Sequence, residues 1–235
     1  MIKKAIKNLK EVFKTERQKE TEFYKKLFIE NSYWNSNEPN DEEKLRWDII
    51  EIFLKEIEYK KGVNNYSILD LGCGRGWLTN LLSKYGDITG LEPIKPVVEY
   101  ARKLFSEINF ICGTTKDLLK KGENKKFDLI VVSEVIEHIA DNKKKEFVKD
   151  IFKLLNNGGY LIVTTPRKEV QREWIKYSNP NQPIEDWMSE LELEILITSN
   201  GFTKIKIDRF SVSPVNSAPK IQIYQLWLFQ KNNNE

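Results

Sequence analysis

The chain has 235 residues, of which 40% are hydrophobic and 31% charged, and its formal net charge is +3. This length suits one α/β domain with a substantial core, and the composition excludes an intrinsically disordered chain. Residues 1–20 hold seven Lys or Arg and three Glu, which gives +4 there, so the remainder lacks the strongly basic composition of nucleic-acid-binding domains.

The amino-terminal sequence predicts neither a signal peptide nor a membrane span. Lysines interrupt the apolar residues of "MIKKAIKNLK", so no secretory h-region is present there, and no apolar run reaches the roughly 18 residues of a membrane helix. The only cysteines, Cys73 and Cys112, are too few for a disulfide framework. We therefore expect a cytoplasmic protein.

The first predicted elements are helices. Residues 2–28 place apolar side chains at helical spacing among many lysines, which predicts an amphipathic helix. Its apolar stripe suits packing on a partner subunit, as in a homodimer, and its basic character also suits peripheral contact with an anionic membrane surface. A second helix is predicted from Asp41 to about Lys60, with acidic residues in its first turn, as the helix dipole favours. Residues 1–60 are therefore assigned as an N-terminal helical extension or lid.

From residue 66 onward, β-rich runs alternate with helical periods. This alternation predicts parallel βαβ units, and the continuous apolar runs suit strands covered on both faces. The last two β runs, "FTKIKIDRF" and "PKIQIYQLWLFQ", have no helix between them and predict antiparallel strands. The predicted fold of residues 61–235 is therefore an α/β fold with a seven-stranded, mainly parallel sheet, a C-terminal antiparallel hairpin and helices on both faces.

A glycine-rich turn follows the first predicted strand in "ILDLGCGRGW", residues 68–77. Its glycines are spaced GxGxG, with Trp77 where a dinucleotide fingerprint requires the third glycine, and no GK[ST] follows as a phosphate-binding P-loop requires. Ligands of open α/β sheets bind at the carboxyl ends of the strands, so this turn is a candidate ligand site.

Acidic residues at the ends of two strands indicate which ligand the turn accepts. Asp70 lies at the end of the first strand, where its carboxylate repels a pyrophosphate and attracts an ammonium group. Glu92 closes the second strand, and an acid at that position accepts hydrogen bonds from ribose hydroxyls. A ribose joined to a cationic amino-acid arm describes S-adenosylmethionine.

Four segments, "ILDLGCGRG", "ITGLEP", "FDLIVVSEVIEHI" and "LLNNGGYLIVTTP", resemble in this order the motifs of class I S-adenosylmethionine-dependent methyltransferases. The resemblance covers about residues 65–230 and implies a Rossmann-like fold. It also implies that the methionine arm lies along the glycine turn, the ribose on the second-strand acid, the adenine near the following residues, and the methyl-donor end over the fourth strand. The residues so implied are Asp70, Gly72, Cys73, Gly74, Glu92, Pro93, Thr114, Thr115 and Ser133.

The sequence departs from the family pattern after the third strand. Thr114 occupies a position that is usually acidic in the family and that contacts the adenine amino group. Thr114 and Thr115 remain candidates for that contact through hydroxyl or backbone, and they also suit the N-cap of the next helix.

The segment "SEVIEHI" supplies the candidate catalytic residues Glu134, Glu137 and His138. We expect a helix here, in which residues three and four apart share a face. His138 would then act as the base that removes a proton from an acceptor hydroxyl, with a glutamate orienting its ring. The same three side chains would alternatively hold Mg²⁺ or Mn²⁺, or would only complement the helix dipole.

The stretch "EVIEH" resembles the Glu-x-x-Glu-His motif of quinone-pathway O-methyltransferases and of small-RNA 2′-O-methyltransferases. The RNA enzymes add a further histidine, whereas this chain has a single one, which argues against RNA. The asparagine-proline-proline-aromatic loop of methyltransferases acting on DNA adenine or protein glutamine is absent after the fourth strand, which argues against a DNA partner.

Residues 166–188 interrupt the alternation of strands and helices with three prolines and several aromatic residues. In this family such an insertion usually covers the acceptor pocket, where Trp174, Tyr177 and Trp187 would stack on a sugar or aromatic ring, or would only anchor the loop. Tyr33 and Trp34 precede the first motif, where similar enzymes place a lid.

These observations predict S-adenosylmethionine-dependent methylation of a small-molecule hydroxyl, on a sugar or a phenol. Three alternatives stay open: a quinone-pathway O-methyltransferase at the membrane, an RNA 2′-O-methyltransferase, and a non-catalytic cofactor-binding regulatory subunit.

Overall fold

The computed structural model describes residues 15–61, 65–120 and 126–233. The first part of the predicted basic helix, up to residue 14, lies outside these ranges. The first described helix, α1, spans Glu16–Lys25 and continues into a π-helical turn over Lys26–Glu30. It begins at Thr15 because the Thr15 hydroxyl accepts a hydrogen bond from the Gln18 amide while the Gln18 side chain accepts one from the Thr15 amide, the reciprocal capping box.

The remaining elements alternate as the sequence predicts. None of the helices in the described ranges is both long enough and apolar enough to cross a membrane. In chain order the elements are α2 (Asp41–Lys61), β1 (Tyr66–Leu71), α3 (Trp77–Leu82), β2 (Gly86–Glu92), α4 (Lys95–Leu104), β3 (Asn109–Cys112), α5 (Thr115–Lys120), β4 (Phe127–Ser133), α6 (Asp141–Leu154), β5 (Leu155–Pro166), α7 (Gln171–Trp174), α8 (Glu190–Thr198), β6 (Phe202–Val212) and β7 (Ile221–Lys231).

The seven strands form one sheet in the order β3-β2-β1-β4-β5-β7-β6. Strands β1 to β5 pair in parallel, and β7 pairs antiparallel with both β5 and β6. The predicted seven-stranded sheet with a C-terminal antiparallel hairpin is therefore confirmed. The strand order reverses between β1 and β4, and open α/β sheets bind ligands at such a switch point.

The core lies on both faces of this sheet because successive residues of each strand point to opposite sides. Ile68 and Val131 belong to the apolar cluster that includes Phe53 of α2, whereas their neighbours Leu69 and Val132 belong to the cluster on the opposite face. The continuous apolar runs in the sequence are explained by this burial on both sides.

A buried ion pair joins the N-terminal extension to the glycine turn. Arg75 is 0% exposed, and its guanidinium donates to both oxygens of Glu43 at 2.7 Å each. Its Nε also donates to the carbonyl oxygen of Ser36 at 2.6 Å. The ring of Phe28 lies over Gly74, so near that a β-carbon there would come within 3.1 Å of it. Residues 15–43 are therefore part of the ligand-binding edge.

We expect Arg75→Ala to lower the free energy of unfolding by about 3–5 kcal/mol, because it leaves the Glu43 carboxylate buried without its partner. Urea unfolding measures this. The double substitution Arg75→Met with Glu43→Met should cost less than the single one, since it removes both charges. Lys95→Ala, which breaks a largely exposed ion pair with Glu99, is the control, with an expected loss of less than about 1 kcal/mol. Equal effects of Arg75→Ala and Lys95→Ala would contradict the stabilising role of the buried Arg75–Glu43 ion pair.

Candidate active site

Two cavities open at the carboxyl edge of the sheet and meet at Gly72, which lines both. The larger has a volume of about 660 Å³ and the smaller about 290 Å³. Apart from Glu92, which lines neither cavity, the sequence-predicted cofactor residues divide between them. Asp70, Gly72, Cys73, Gly74 and Ser133 line the larger cavity, and Gly72, Pro93, Thr114 and Thr115 line the smaller one.

The smaller cavity has largely apolar walls, which suit the faces of a nucleobase. Leu71, Leu91 and Val135 belong to these walls. Thr114 immediately precedes the helix α5, and its amide and its hydroxyl both donate to the Asp117 carboxylate, at 2.9 and 2.8 Å. The Thr114 amide and the proton of its hydroxyl are thus engaged, whereas the hydroxyl oxygen retains lone pairs that can accept from the amino group of an adenine.

Position 72 accommodates only a glycine, because a side chain does not fit there. Its φ is +75°, in the left-handed region, and a β-carbon at this position would collide with Cγ2 of Val135. The amides of Gly72 and Cys73 both donate to the carbonyl oxygen of Leu91, at 2.8 and 3.1 Å. The turn therefore wraps tightly over the end of β2 and lies close to Glu92.

Asp70 is a buried carboxyl group at the end of β1. It is 1% exposed, and its Oδ2 accepts a hydrogen bond from the Thr79 hydroxyl at 2.6 Å. Burial raises the pKa of Asp70 to about 7, an effect that the Thr79 bond only partly opposes. A ligand ammonium beside this carboxyl group would favour its ionised form.

Glu92 occupies the equivalent place on β2. Its Oε2 accepts the Gly74 amide at 3.3 Å and its Oε1 accepts the Ile94 amide at 2.9 Å. Burial raises the pKa of Glu92 to about 7 against the effect of these two bonds. Because a carboxylate offers about four acceptor sites, two remain for the hydroxyls of a ribose.

The helix predicted through Glu134, Glu137 and His138 is wrong. Glu134 has a φ of 56°, its amide donates to the carbonyl oxygen of Thr164 at 3.0 Å, and only a 3₁₀ turn, Ile136–His138, follows before α6. The left-handed backbone at Glu134 stops helix formation there, and the bond to β5 extends the sheet past β4. A sparsely populated conformation of this kind is frequent at functional sites.

Glu134 and Glu137 nevertheless lie close together at the larger cavity. Glu134 Oε1 accepts the Thr164 hydroxyl at 2.7 Å and lies 3.5 Å from Nε of Arg46. Glu137 Oε2 accepts the Thr165 hydroxyl at 3.0 Å. Burial raises the pKa of both glutamates to about 8. Among the residues that the structure describes, no three His, Cys, Asp or Glu side chains are grouped as metal ligands, so the metal alternative gains no support.

His138 is oriented by the insertion. Its Nδ1 lies 2.9 Å from the carbonyl oxygen of Ile184, and since a carbonyl oxygen only accepts, Nδ1 carries the proton of the neutral ring. Nε2 then bears the lone pair, and it lies 3.7 Å from Oε1 of Glu137. The Tyr24 ring packs edge-on against the imidazole at 6.2 Å between centroids. This tautomer is the one that a base acting through Nε2 requires.

The insertion is held over the 3₁₀ turn by two backbone contacts and a buried lysine. The Asp186 amide donates to the carbonyl oxygen of Glu137 at 2.9 Å, beside the bond from His138 to Ile184. Lys144, on α6, donates to the carbonyl oxygen of Asp186 at 2.8 Å and lies 3.1 Å from the Asp186 carboxylate. These bonds hold the segment from which Glu185 and Trp187 line the cavity.

The predicted substrate aromatics have different positions. Trp174 and Trp187 are buried and line the larger cavity, and Tyr33 and Trp34 line it from the N-terminal extension. Tyr177 is 44% exposed and is not among the cavity-lining residues, so its predicted stacking role is not supported. It lies in the turn after α7, which directs it to solvent.

Sequence reasoning missed Arg46, a cavity-lining residue on α2. It is buried, its Nη2 donates to Glu42 at 3.1 Å, and its guanidinium lies 4.7 Å from the centroid of the Tyr224 ring. The Tyr224 hydroxyl in turn donates to Glu42 at 2.6 Å. These partners come from β7 as well as α2, so no local sequence pattern distinguishes Arg46 from an exposed helical arginine.

A family model described as a methyltransferase domain matches residues 6–207. The chain belongs to this methyltransferase family. Its fold agrees with that of a solved N-methyltransferase, NodS from Bradyrhizobium japonicum WM9 in complex with S-adenosyl-L-homocysteine, with a TM-score of 0.65 at 19% identity over 90% of this chain and 98% of that one. The class I methyltransferase fold implied by the four motifs is thus confirmed.

Curated relatives of this methyltransferase include ubiquinone biosynthesis O-methyltransferases. The protein from Rickettsia prowazekii is 30% identical over 155 residues, which is 63% of this chain and 59% of that protein. The mitochondrial protein from Rattus norvegicus is 32% identical over 117 residues, 46% of this chain and 33% of that protein. The matched part therefore spans between a third and about three fifths of the length of these relatives.

We expect Glu92→Ala to weaken binding of S-adenosylhomocysteine by about 1–3 kcal/mol, because it removes charge-assisted bonds to the ribose. Calorimetric titration measures this. Glu99→Ala, an exposed carboxylate on α4, serves as the control for net charge. Equal affinities of the two variants would refute the assignment of Glu92 to the ribose.

Proposed function

We propose that this methyltransferase transfers a methyl group from S-adenosylmethionine to a hydroxyl oxygen of a small molecule, on a sugar or a phenol. One observation carries the proposal: His138 lines the same cavity as the glycine turn, with its Nδ1 proton committed to Ile184 and its Nε2 available as a base. Methyl transfer to oxygen benefits from such a base because a neutral hydroxyl is a poor nucleophile.

The residues present fit S-adenosylmethionine. The buried carboxyl group of Asp70 matches a free ammonium, Glu92 retains acceptor sites for ribose hydroxyls, and the apolar smaller cavity matches an adenine. When bound, this cofactor supplies an electrophilic methyl group on a sulfonium. Gly72, at the junction of the two cavities, is where the adenosine and the methionine arm would meet.

The protein would contribute proton removal and alignment. Nε2 of His138 accepts the hydroxyl proton, a role that typically accelerates a reaction by about 10²- to 10⁴-fold. Trp174 and Trp187 on the insertion, with Tyr33 and Trp34 on the N-terminal extension, enclose the acceptor and exclude water. Alignment of the acceptor oxygen with the methyl group supplies much of the remaining acceleration.

A second candidate is a quinone-pathway O-methyltransferase that meets a lipid acceptor at a membrane. The names of the curated relatives favour it, as does the basic composition of residues 1–20. Binding to liposomes that contain anionic lipid should then depend on residues 1–20. Liposome binding that survives their deletion would count against that arrangement.

The acceptor class is tested by a tritiated-methyl transfer screen over catechols, sugars and RNA, each with and without Mg²⁺. We expect transfer to a hydroxyl of a small molecule that does not require Mg²⁺. Transfer to RNA alone would refute the proposal.

We expect His138→Ala to lower kcat by about 10²- to 10⁴-fold, because the hydroxyl proton loses its acceptor, while the affinity for S-adenosylhomocysteine stays unchanged. Turnover with a methylated acceptor and calorimetry measure the two quantities. Tyr177→Ala, an exposed aromatic on the same side of the molecule, serves as the control. A parallel loss of turnover and cofactor affinity in His138→Ala would show that the histidine is structural.

A further inference from the structure

The positively charged side chains at the larger cavity are already paired. Of the described residues that line it, Arg46, Arg75 and His138 are those able to carry a positive charge. Arg75 is bound by both oxygens of Glu43, and Arg46 lies between Glu42 and Glu134. Arg75 is therefore not available to receive a carboxylate or phosphate of an acceptor without breaking an existing ion pair, and Arg46 would have to share its charge with Glu42 and Glu134.

Carboxyl groups dominate the part of the cavity next to His138, where the acceptor would lie and which we call the acceptor side. Glu137 lies beside His138, and Glu185 lies on the insertion, where the indole N–H of Trp187 donates to it. Both carboxyl groups affect the pKa of the Tyr24 hydroxyl. Burial, and then the negative charges of Glu137, Glu92, Glu20 and Glu185, hold the pKa of Tyr24 well above its usual range. Tyr24 itself lines the cavity together with Glu137 and Glu185, so an acceptor next to it lies close to the same carboxyl groups.

From this pairing and this placement of carboxyl groups, we infer that the acceptor side selects a hydroxyl compound that is uncharged where it enters the cavity and rejects analogues carrying a carboxylate or phosphate there. The inference rests on the proposed function, since it describes the acceptor of that reaction. An ionised carboxyl group of Glu137 or Glu185 repels an anionic analogue, and a protonated one offers it no positive charge, so neither state offsets the hydration that a carboxylate or phosphate loses in the cavity. An uncharged hydroxyl compound can instead donate hydrogen bonds to the same carboxyl oxygens.

Matched pairs of compounds test the inference on the full chain saturated with S-adenosylhomocysteine. The pairs are 3,4-dihydroxybenzamide with 3,4-dihydroxybenzoate, and methyl glucuronamide with methyl glucuronate, which differ in charge and hardly in shape. We expect the amide of any pair that binds to bind at least about tenfold more tightly, which corresponds to about 1.4 kcal/mol. Equal or tighter binding of the carboxylate would overturn the inference, as would failure of all four compounds to bind at millimolar concentration.

A charge-neutralising substitution locates the source of the preference. Glu185→Gln keeps an oxygen for the Trp187 indole and removes one charge, so the preference for the amide should shrink severalfold. Glu173→Gln removes the same charge from an exposed position of the same insertion, outside the cavity, and should leave the preference unchanged. Equal shrinkage in the two variants would show that net charge is responsible and the cavity is not.

Methyl transfer separates this inference from the proposed function. With S-adenosylmethionine in place of S-adenosylhomocysteine, a preference for the amide without transfer to any hydroxyl would refute the proposed function alone. Transfer to amide and carboxylate with equal affinities would refute the charge selection alone.

Discussion

Two buried carboxyl groups, those of Asp70 and Glu92, lie at the carboxyl edge of this sheet and are the main constraint on the ligand proposed for it. They end neighbouring parallel strands, and the glycine turn between them is held on the carbonyl oxygen of Leu91 and on Glu92 itself. Burial of a carboxyl group without a cation is costly, so a ligand that brings an ammonium and ribose hydroxyls is favoured there, and a pyrophosphate is repelled. The methyltransferase family to which the chain belongs agrees with this electrostatic constraint.

The ligand-binding edge is covered by two segments that the core motifs do not include. Arg75 binds the N-terminal extension to the glycine turn through Glu43, and Phe28 packs over Gly74. On the other side, Lys144 holds the insertion against the turn that carries His138. Each covering segment is attached to a residue next to the site. Movement of either segment would therefore displace residues at the cavity. Arg75 is engaged by the first of these attachments and Arg46 lies between Glu42 and Glu134, so carboxyl and aromatic groups line much of the cavity where the acceptor would lie.

The sequence predicted the sheet and the order of its elements, because alternating apolar runs are local signals. Most of the predicted cofactor residues line the two cavities, and their contact with a cofactor stays a prediction. Prediction from the sequence was wrong or incomplete where contacts between distant parts of the chain determine the local structure. The helix expected through Glu134 is absent because a bond to Thr164 of β5 extends the sheet there. Arg75 and Arg46 looked like ordinary surface arginines, since their partners lie far away in the chain. Tyr177 is an aromatic residue of the kind that stacks on substrates, but it is exposed to solvent.

The central claim is that the buried carboxyl groups of Asp70 and Glu92 bind an ammonium group and a ribose. The number of protons released when S-adenosylhomocysteine binds tests this claim most directly. Burial raises the pKa of Asp70 and of Glu92 to about 7 in the protein alone. An ammonium and ribose hydroxyls would lower both values, so binding at about pH 6.5 should release protons and affinity should rise with pH from about 6 to 8. Calorimetry in buffers of different ionisation enthalpy counts those protons. Binding without proton release, or tighter binding at lower pH, would contradict the account.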